Sequence, residues 1–494
     1  MIPWLPAVPP EWLAALLSPA WLPWLPVAVP WLGAAVLAAI ASAPIGARVN
    51  LGAAVLTLPL ALLLLALPEE STGLLRADPL NLCLLLPAML VGISGAVATL
   101  ALPLPEGAGR AWNAGYQALL GLTHLALLAD NMALAWMALA LCGPVLALLV
   151  ALRRGPQDSA TALAAAWKAV LLCGAGAALA LLGTVVLAMA AEPLAGDTAL
   201  SFDTLQRVAR EVEPGPLMLG FLLMLAGYGI LAGLVPLHLW LGDAHAEAPT
   251  PLIAIPIALL GQAALHALLR AKAVADLNPG WLPPGALLLL AGLAGTALAA
   301  LAVWRQRDSG RFLAACAVGQ TGLAAIAFGL GGPATMAGLL QMAGSLLGVS
   351  AAAFGLGRGA RLRGSAGMRA LSGLAATERR LGWALAAVLA ALAGLPPLAL
   401  FVSEFLLVQQ AVARLPWMAL PLGAVLVALA ATTLGRLRRL CFGPAPSLGE
   451  PRAAGTGHTV FLLMLLHLVG LLGLGMFLPS PLAALLADAA RVAG

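Results

Sequence analysis

An all-α membrane protein with about fourteen bilayer crossings is the architecture this sequence predicts. Three observations predict it. Apolar residues make up 62% of the 494 positions and charged residues 9%, which leaves too few polar groups to coat a water-soluble surface. The apolar residues fall in runs of about 20, the length a helix needs to cross the hydrocarbon core. Short breaks rich in Pro, Gly or Arg separate the runs, which show neither the alternation nor the ~10-residue length of barrel strands.

Taken in order, spans are expected at residues 27–45, 51–67, 80–102, 111–128, 131–152, 161–191, 217–241, 251–271, 282–304, 311–330, 333–356, 380–411, 416–438 and 458–478. The segment before the first span, Met1–Pro30, has no basic n-region and is studded with Pro and Trp, so it does not read as a cleaved signal peptide. Its Trp4, Trp12, Trp21 and Trp24, with Trp31, suit a headgroup boundary. The seventh span is interrupted at Gly233-Leu-Val-Pro236-Leu-His238 and the twelfth at Gly394-Leu-Pro396-Pro397. A proline frees a carbonyl four residues back, and in lipid that group needs protein or water. The breaks lie five spans apart, and an odd offset reverses direction across the membrane. They therefore fit a pair of inverted five-helix repeats, residues 111–271 and 282–440, after an N-terminal unit 1–110 and before a last helix 458–478. An ordinary proline kink is the plainer reading of each break taken alone.

Orientation follows from the basic residues. Connections after odd-numbered spans hold 17 of the 25 Lys and Arg, six of them in the stretch Arg358 to Arg380. Connections after even-numbered spans hold 7, namely Arg76, Arg207, Arg210, Arg270, Lys272, Arg414 and Arg491, while Lys168 lies inside the sixth span. The positive side is expected to be cytoplasmic, which puts both termini on the non-cytoplasmic side of a bacterial-type inner membrane. The net charge of +5 thus reflects topology, and no basic face suggests nucleic-acid binding. Cys83, Cys142, Cys173, Cys316 and Cys441 lie in or beside apolar runs without a CxxC pair, as small core residues do. There is no Walker loop, dinucleotide fingerprint, nucleophile triad or metal-ligand spacing.

The stretch Gly227-YGILAGLVPLHLWLGDAHAEAPTPL-Ile253 resembles the signature of the antiporter-like subunits of respiratory complex I, Mrp-type antiporters and energy-converting hydrogenases. Further matches are Asp130-Asn131 with Ala-Trp136-Met-Ala, Ala166-Trp167-Lys168, Leu172-Cys173-Gly174, Leu179-ALLGTVVL-Ala188 and Gly394-LPPLALFVSE-Phe405. The Trp-Lys and Leu-Cys-Gly elements are most similar to the large antiporter-like subunit of formate hydrogenlyase and its hydrogenase relatives. Spanning roughly residues 80–440, the resemblance implies fourteen helices, inverted repeats, broken seventh and twelfth helices and outward termini.

The same resemblance implies a midplane chain of ionisable groups, and here the sequence departs from it. The family's fifth-helix glutamate falls on Ala140 and its seventh-helix lysine on Leu231. An eleventh-helix pattern of His, Asn and Lys reads Gln341, Gly344, Ser345 and Val349, and a tenth-helix Glu-His element reads Gly319-Gln320-Thr321-Gly322. Lys168, His238, His245 and Glu404 remain at family positions. Lys168 is either a relay member or a side chain snorkelling to the surface. His238, two residues after Pro236, is either a relay member or a hydrogen-bond partner for the broken backbone. His245, beside Asp243 and Glu247, suits an outer-side loop or a proton exit. Gln262 and His266 stand four apart and so share a helix face, as a neutral pair or as a relay. His124 and His467 suit packed histidines. Glu404, among Leu-Ala-Leu-Phe-Val-Ser and Phe-Leu-Leu, is the sharpest candidate, because a carboxylate there is expensive unless protonated, paired or hydrated.

The expected function is that of an antiporter-like membrane subunit of a complex-I-like or hydrogenase-like, redox-driven proton-translocating assembly, with a shortened relay through Glu404, His266 and Lys168. The alternatives are a non-conducting scaffold that keeps the fold, and a membrane partner in inorganic-carbon uptake. On the main reading the chain is a non-redox subunit carrying no cofactor, and its partners are lipid, other membrane subunits and the redox subunits that hold the cofactors.

Overall fold

The computed structural model describes residues 21–66, 73–102, 104, 107–152, 159–248, 251–278, 280, 282–445 and 457–494. Trp4, Trp12, Arg153, Arg154 and Arg452 lie outside these residues. Among the described residues there are helices and isolated bridges but no strand. In chain order the helices are α1 (Leu25–Ala39), α2 (Ala43–Ala66), α3 (Pro79–Ala101), α4 (Gly109–Leu128), α5 (Met132–Ala151), α6 (Ser159–Ala195) and α7 (Phe202–Val208). They continue with α8 (Pro214–Ala232), α9 (Leu239–Glu247), α10 (Ala254–Ala275), α11 (Pro284–Arg305), α12 (Ser309–Leu330) and α13 (Pro333–Arg363). Last come α14 (Leu374–Thr377), α15 (Arg379–Leu392), α16 (Ala399–Arg414), α17 (Ala419–Phe442), α18 (Gly457–Met476) and α19 (Ser480–Val492).

Twelve of these, counting α1 from Leu22, are long and apolar enough to cross a membrane. Of the fourteen expected spans, α4 is not among the twelve, since it carries Arg110, Asn113, Gln117 and His124, and the 380–411 span is split into α15 and α16. Short polar side chains start several helices by accepting the first unpaired N–H groups. Asp78 accepts from Asn81 N at 2.9 Å, Asn131 from Ala133 N at 3.0 Å, and Asp308 from Gly310 N at 2.8 Å. The helix α19, which the sequence reading did not include, packs along α3 and α13.

Three central helices, α10, α12 and α13, are almost wholly enclosed, whereas α2, α17 and α18 show most of their length to the outside. Large apolar side chains such as Leu420, at 81% exposed, and Val427, at 70%, are therefore expected to meet lipid or neighbouring protein. The five cysteines are buried and free.

Both interruptions are real, and they are built alike. α8 ends on Gly233 with φ +78° and α15 is followed by Gly394 with φ +68°, a left-handed conformation that suits glycine. Leu234 N–H reaches back to Gly229 O and Leu395 N–H to Ala390 O, both 2.8–3.1 Å. Gly233 bonds Ile230 and Gly394 bonds Ala391; Leu237 bonds Leu234 and Leu398 bonds Leu395. These three bonds of the first break recur 161 residues later. That offset aligns Asp243 with Glu404. A second offset, 172, relates α6 to α13: β-carbons on Gly176 and Gly183 would collide with Leu231 and Met224, and those on Gly348 and Gly355 with the 161-shifted Leu392 and Leu385. By this register Leu340 stands on α13 where Lys168 stands on α6.

Candidate functional site

The paired breaks create the first set of site groups. On α9 the Asp243 carboxylate receives Lys168 Nζ from α6 at 2.7 Å and an Arg311 guanidinium N from α12 at 3.3 Å, with Glu247 3.7 Å from Arg311. Lys168 thus ends in a defined ion pair with Asp243. Because the ions are one-third to one-half exposed, the pair contributes at most about 1 kcal/mol to stability. His238 sits at the head of α9, its ring beside the Pro236 carbonyl, and lines a cavity of about 150 Å³ with Asp243 and Arg311.

His245 is not in a loop. It lies in α9, 5% exposed, with Nδ1 bonded to Leu241 O at 2.8 Å and Nε2 without a partner. Its ring borders two spaces at once. One is a cavity of about 270 Å³ at the arginine-rich end, lined also by Asp308, Arg361 and Ser365. The other is a central cavity of about 50 Å³ bounded by Gln262, Gln320, Ser345 and Val349, enough to hold water.

Next to that central cavity runs a neutral ladder. Gln341 Nε2 donates to Gln320 Oε1 at 2.5 Å, Ser403 Oγ to Gln341 Oε1, and Gln320 Nε2 to Leu392 O at 3.1 Å, at the end of α15. Amides and a hydroxyl hold together α12, α13 and the twelfth-span break. Leu231, at 1% exposed, packs against Gly176, and Val349 is buried beside the cavity, so both apolar replacements complete the packing. Ala140 is half-buried on α5.

Glu404 follows Ser403 on α16, and its carboxyl is pressed against the backbone of Gly394, where a β-carbon would occupy the same space. It is half-buried, with no hydrogen bond or ion pair among the described residues. Its counterpart Asp243 has two cations, whereas the register puts buried Leu340 in the place of Lys168. An ionised carboxylate here would lack both countercharge and donors.

Gln262 and His266 share the α10 face but do not meet. Gln262 Nε2 turns to Met342 O on α13, while His266 Nε2 lies 2.8 Å from Asn81 Oδ1 on α3. One turn further, Arg270 and Lys272, expected in a connection, are inside α10 and 2% exposed. Arg270 is ion-paired with Asp78 and donates to Asn81 Oδ1 at 2.6 Å. Arg76 extends the cluster to Asp203 at 2.7 Å and Asp130 at 3.9 Å. The i, i+4, i+8 spacing of Gln262, His266 and Arg270 in an apolar run was the signal for this buried stripe. His124 bonds Pro26 O at 2.9 Å and His467 bonds Leu463 O at 2.8 Å, as packed histidines do.

A multi-pass helical membrane protein with paired broken helices, and side chains of opposite charge gathered at one of them, is the class that this geometry defines. The family model described as NADH:quinone oxidoreductase/Mrp antiporter, TM, matches residues 129–430, and the chain belongs to that family. It is 33% identical over 462 residues to a hydrogenase-4 component F homolog of Methylacidiphilum infernorum (isolate V4), covering 91% of this chain and 95% of the relative. In fold it is similar to a chain of the membrane-bound sulfane sulfur reductase (MBS), an archaeal respiratory membrane complex, with a TM-score of 0.83, 20% identity and 97% of each chain covered. It is likewise similar to a chain of respiratory complex I from Thermus thermophilus, with a TM-score of 0.76, 23% identity, and 93% of this chain and 100% of that chain covered. The chain is thus an antiporter-like membrane subunit of the NADH-quinone oxidoreductase and hydrogenase family.

Proposed function

We propose that this subunit translocates protons within a redox-driven membrane complex, and that it does so through a reduced relay whose loading site is Glu404. The observation that carries this reading is the contrast between the two breaks: Asp243 is clamped by Lys168 and Arg311, while the matching carboxyl, Glu404, has no cation. A carboxyl can load and release a proton cheaply only where no fixed charge holds it ionised. His245 supplies the approach, since it stands between the cavity at the arginine-rich end and the central one. Water and the Gln320–Gln341–Ser403 ladder span the remaining distance toward α16. The first repeat, with Ala140 and Leu231 in place of charges, serves as the rigid half against which the second works.

On this reading the energy comes from partner subunits, which hold the redox groups. Purification of the complex in mild detergent, followed by reconstitution, tests it. Donor oxidation should drive proton uptake or release in liposomes holding the whole complex, and liposomes holding this chain alone should be silent. Redox-driven proton movement that persists undiminished in a complex lacking this chain would defeat the reading.

Orientation gives a separate expected result. Ser365 is exposed in the connection after α13, at the arginine-rich end read as cytoplasmic. On a Cys-free background, Ser365→Cys should react with an impermeant maleimide in inverted vesicles and not in intact cells. Labelling from the periplasm would reverse the assignment of both termini to the non-cytoplasmic side.

A further inference from the structure

Two helix N-termini converge at the arginine-rich end of the molecule. α2 begins at Ala43 and α4 at Gly109, and they stand so close that a β-carbon on Gly109 would lie 3.2 Å from Ala43 Cβ. No side chain among the described residues caps either start. The N-cap of α4, Ala108, offers no side-chain acceptor. The first backbone bond of α2 runs from Gly46 N to Ser42 O, which leaves the N–H groups of Ala43 and Ile45 without a backbone acceptor among the described residues; Pro44 between them has none. Each start carries the positive end of a helix dipole.

Between these starts opens a groove of about 660 Å³. Arg48 and Arg110 line it, both exposed and neither with a partner among the described residues, and the described lining residues include no acid. Asn113 contributes to its floor. Only 2% exposed, Asn113 accepts from Asn50 Nδ2 at 3.1 Å, and its own amide nitrogen has no acceptor. Ile45, 51% exposed, and Leu100, 45% exposed, flank the groove as apolar surface.

We propose that this groove is a binding site for the phosphate of an anionic phospholipid headgroup, held by Arg48, Arg110 and the first turn of α2, with the Asn113 amide beneath. Two guanidinium groups, free backbone donors and a buried amide donor form a cradle for phosphate oxygens. Exposed apolar side chains beside the cradle suit acyl chains better than water, so a membrane lipid fits where a free anion would leave them wet. Basic pockets between transmembrane helices on the cytoplasmic side are places where anionic lipids collect.

Native mass spectrometry of the purified complex, released from detergent with added phosphatidylglycerol or phosphatidylcholine, tests the site. The complex should retain phosphatidylglycerol in preference to phosphatidylcholine. Arg48→Gln and Arg110→Gln should each weaken that retention about 5-fold, and the double variant about 30-fold, at about the strength expected for one basic residue at a membrane surface. Neither arginine has a partner to lose, so both variants should assemble. Gly109→Leu, which fills the floor without touching charge, should also release the lipid. Equal retention of both lipids, or undiminished phosphatidylglycerol in the double variant, would overturn the proposal. So would displacement of the lipid by millimolar inorganic phosphate, which would mark a free-anion site, or loss of a bound protein in place of a lipid.

Discussion

Replacing Glu404 by glutamine is expected to lower redox-driven proton movement by about 100-fold or more while the complex still assembles. Glutamine keeps the shape of the side chain that rests against Gly394 but cannot carry a proton on and off. Because the carboxyl makes no hydrogen bond or ion pair among the described residues, its loss should disturb little else. A companion substitution separates proton loading from mere polarity. Leu340→Lys would place a cation on α13 at the register of Lys168, giving Glu404 an ion-pair partner like the one Asp243 has. Proton flux should again collapse, and the double Leu340→Lys/Glu404→Gln variant should be no worse than either alone. Flux at the native level in the assembled Glu404→Gln complex would exclude this carboxyl from the relay.

The largest structural effect is expected at Arg270. Its guanidinium is buried with Asp78, Asn81 and the His266 ring around it, so Arg270→Met would leave the buried Asp78 carboxylate with Arg76, 3.5 Å away, as its remaining cation. Breaking a buried pair costs about 3–5 kcal/mol where the remaining charge has no other partner, and the retained Arg76 puts the expected loss at the lower end. Solubilised complex should therefore show a lowered melting temperature and a reduced yield of assembled protein. Adding Asp78→Asn, which removes the weakened buried charge while keeping an acceptor for Asn81 N–H, should restore part of the loss. If the single variant melts like the parent protein, the cluster is not a structural anchor.

The breaks at Gly233 and Gly394 were legible in the sequence because proline and glycine act locally, through the backbone they occupy. Glu404 was legible for a related reason, since a lone carboxylate in an apolar run stands out before any neighbour is known. Arg270 was misread because a basic residue near the end of an apolar run looks the same whether it meets water or a buried aspartate 192 residues away. The supposed Gln262–His266 pair failed similarly: sharing a helix face says that two side chains can meet, and the helices packed on that face decide whether they do. α19 escaped notice because its apolar residues form one stripe rather than a continuous run. Lys168 needed its partner to be understood, and that partner lies on α9, 75 residues away.

The unequal charges of the two breaks make the molecule electrically one-sided. Around Asp243 the fixed cations balance the acid, so nothing there need change its charge in response to the membrane potential. Glu404 is ten residues from the Arg414 end of its helix, a depth of about 15 Å along the axis and so about half of a ~30 Å hydrocarbon core. A proton entering or leaving from that face would cross about half of the transmembrane voltage, worth about 1 kcal/mol for each 100 mV. On the proposed relay, the bare carboxyl that loads the proton would also feel the membrane potential, and the gradient the complex builds would bear back on the step that builds it.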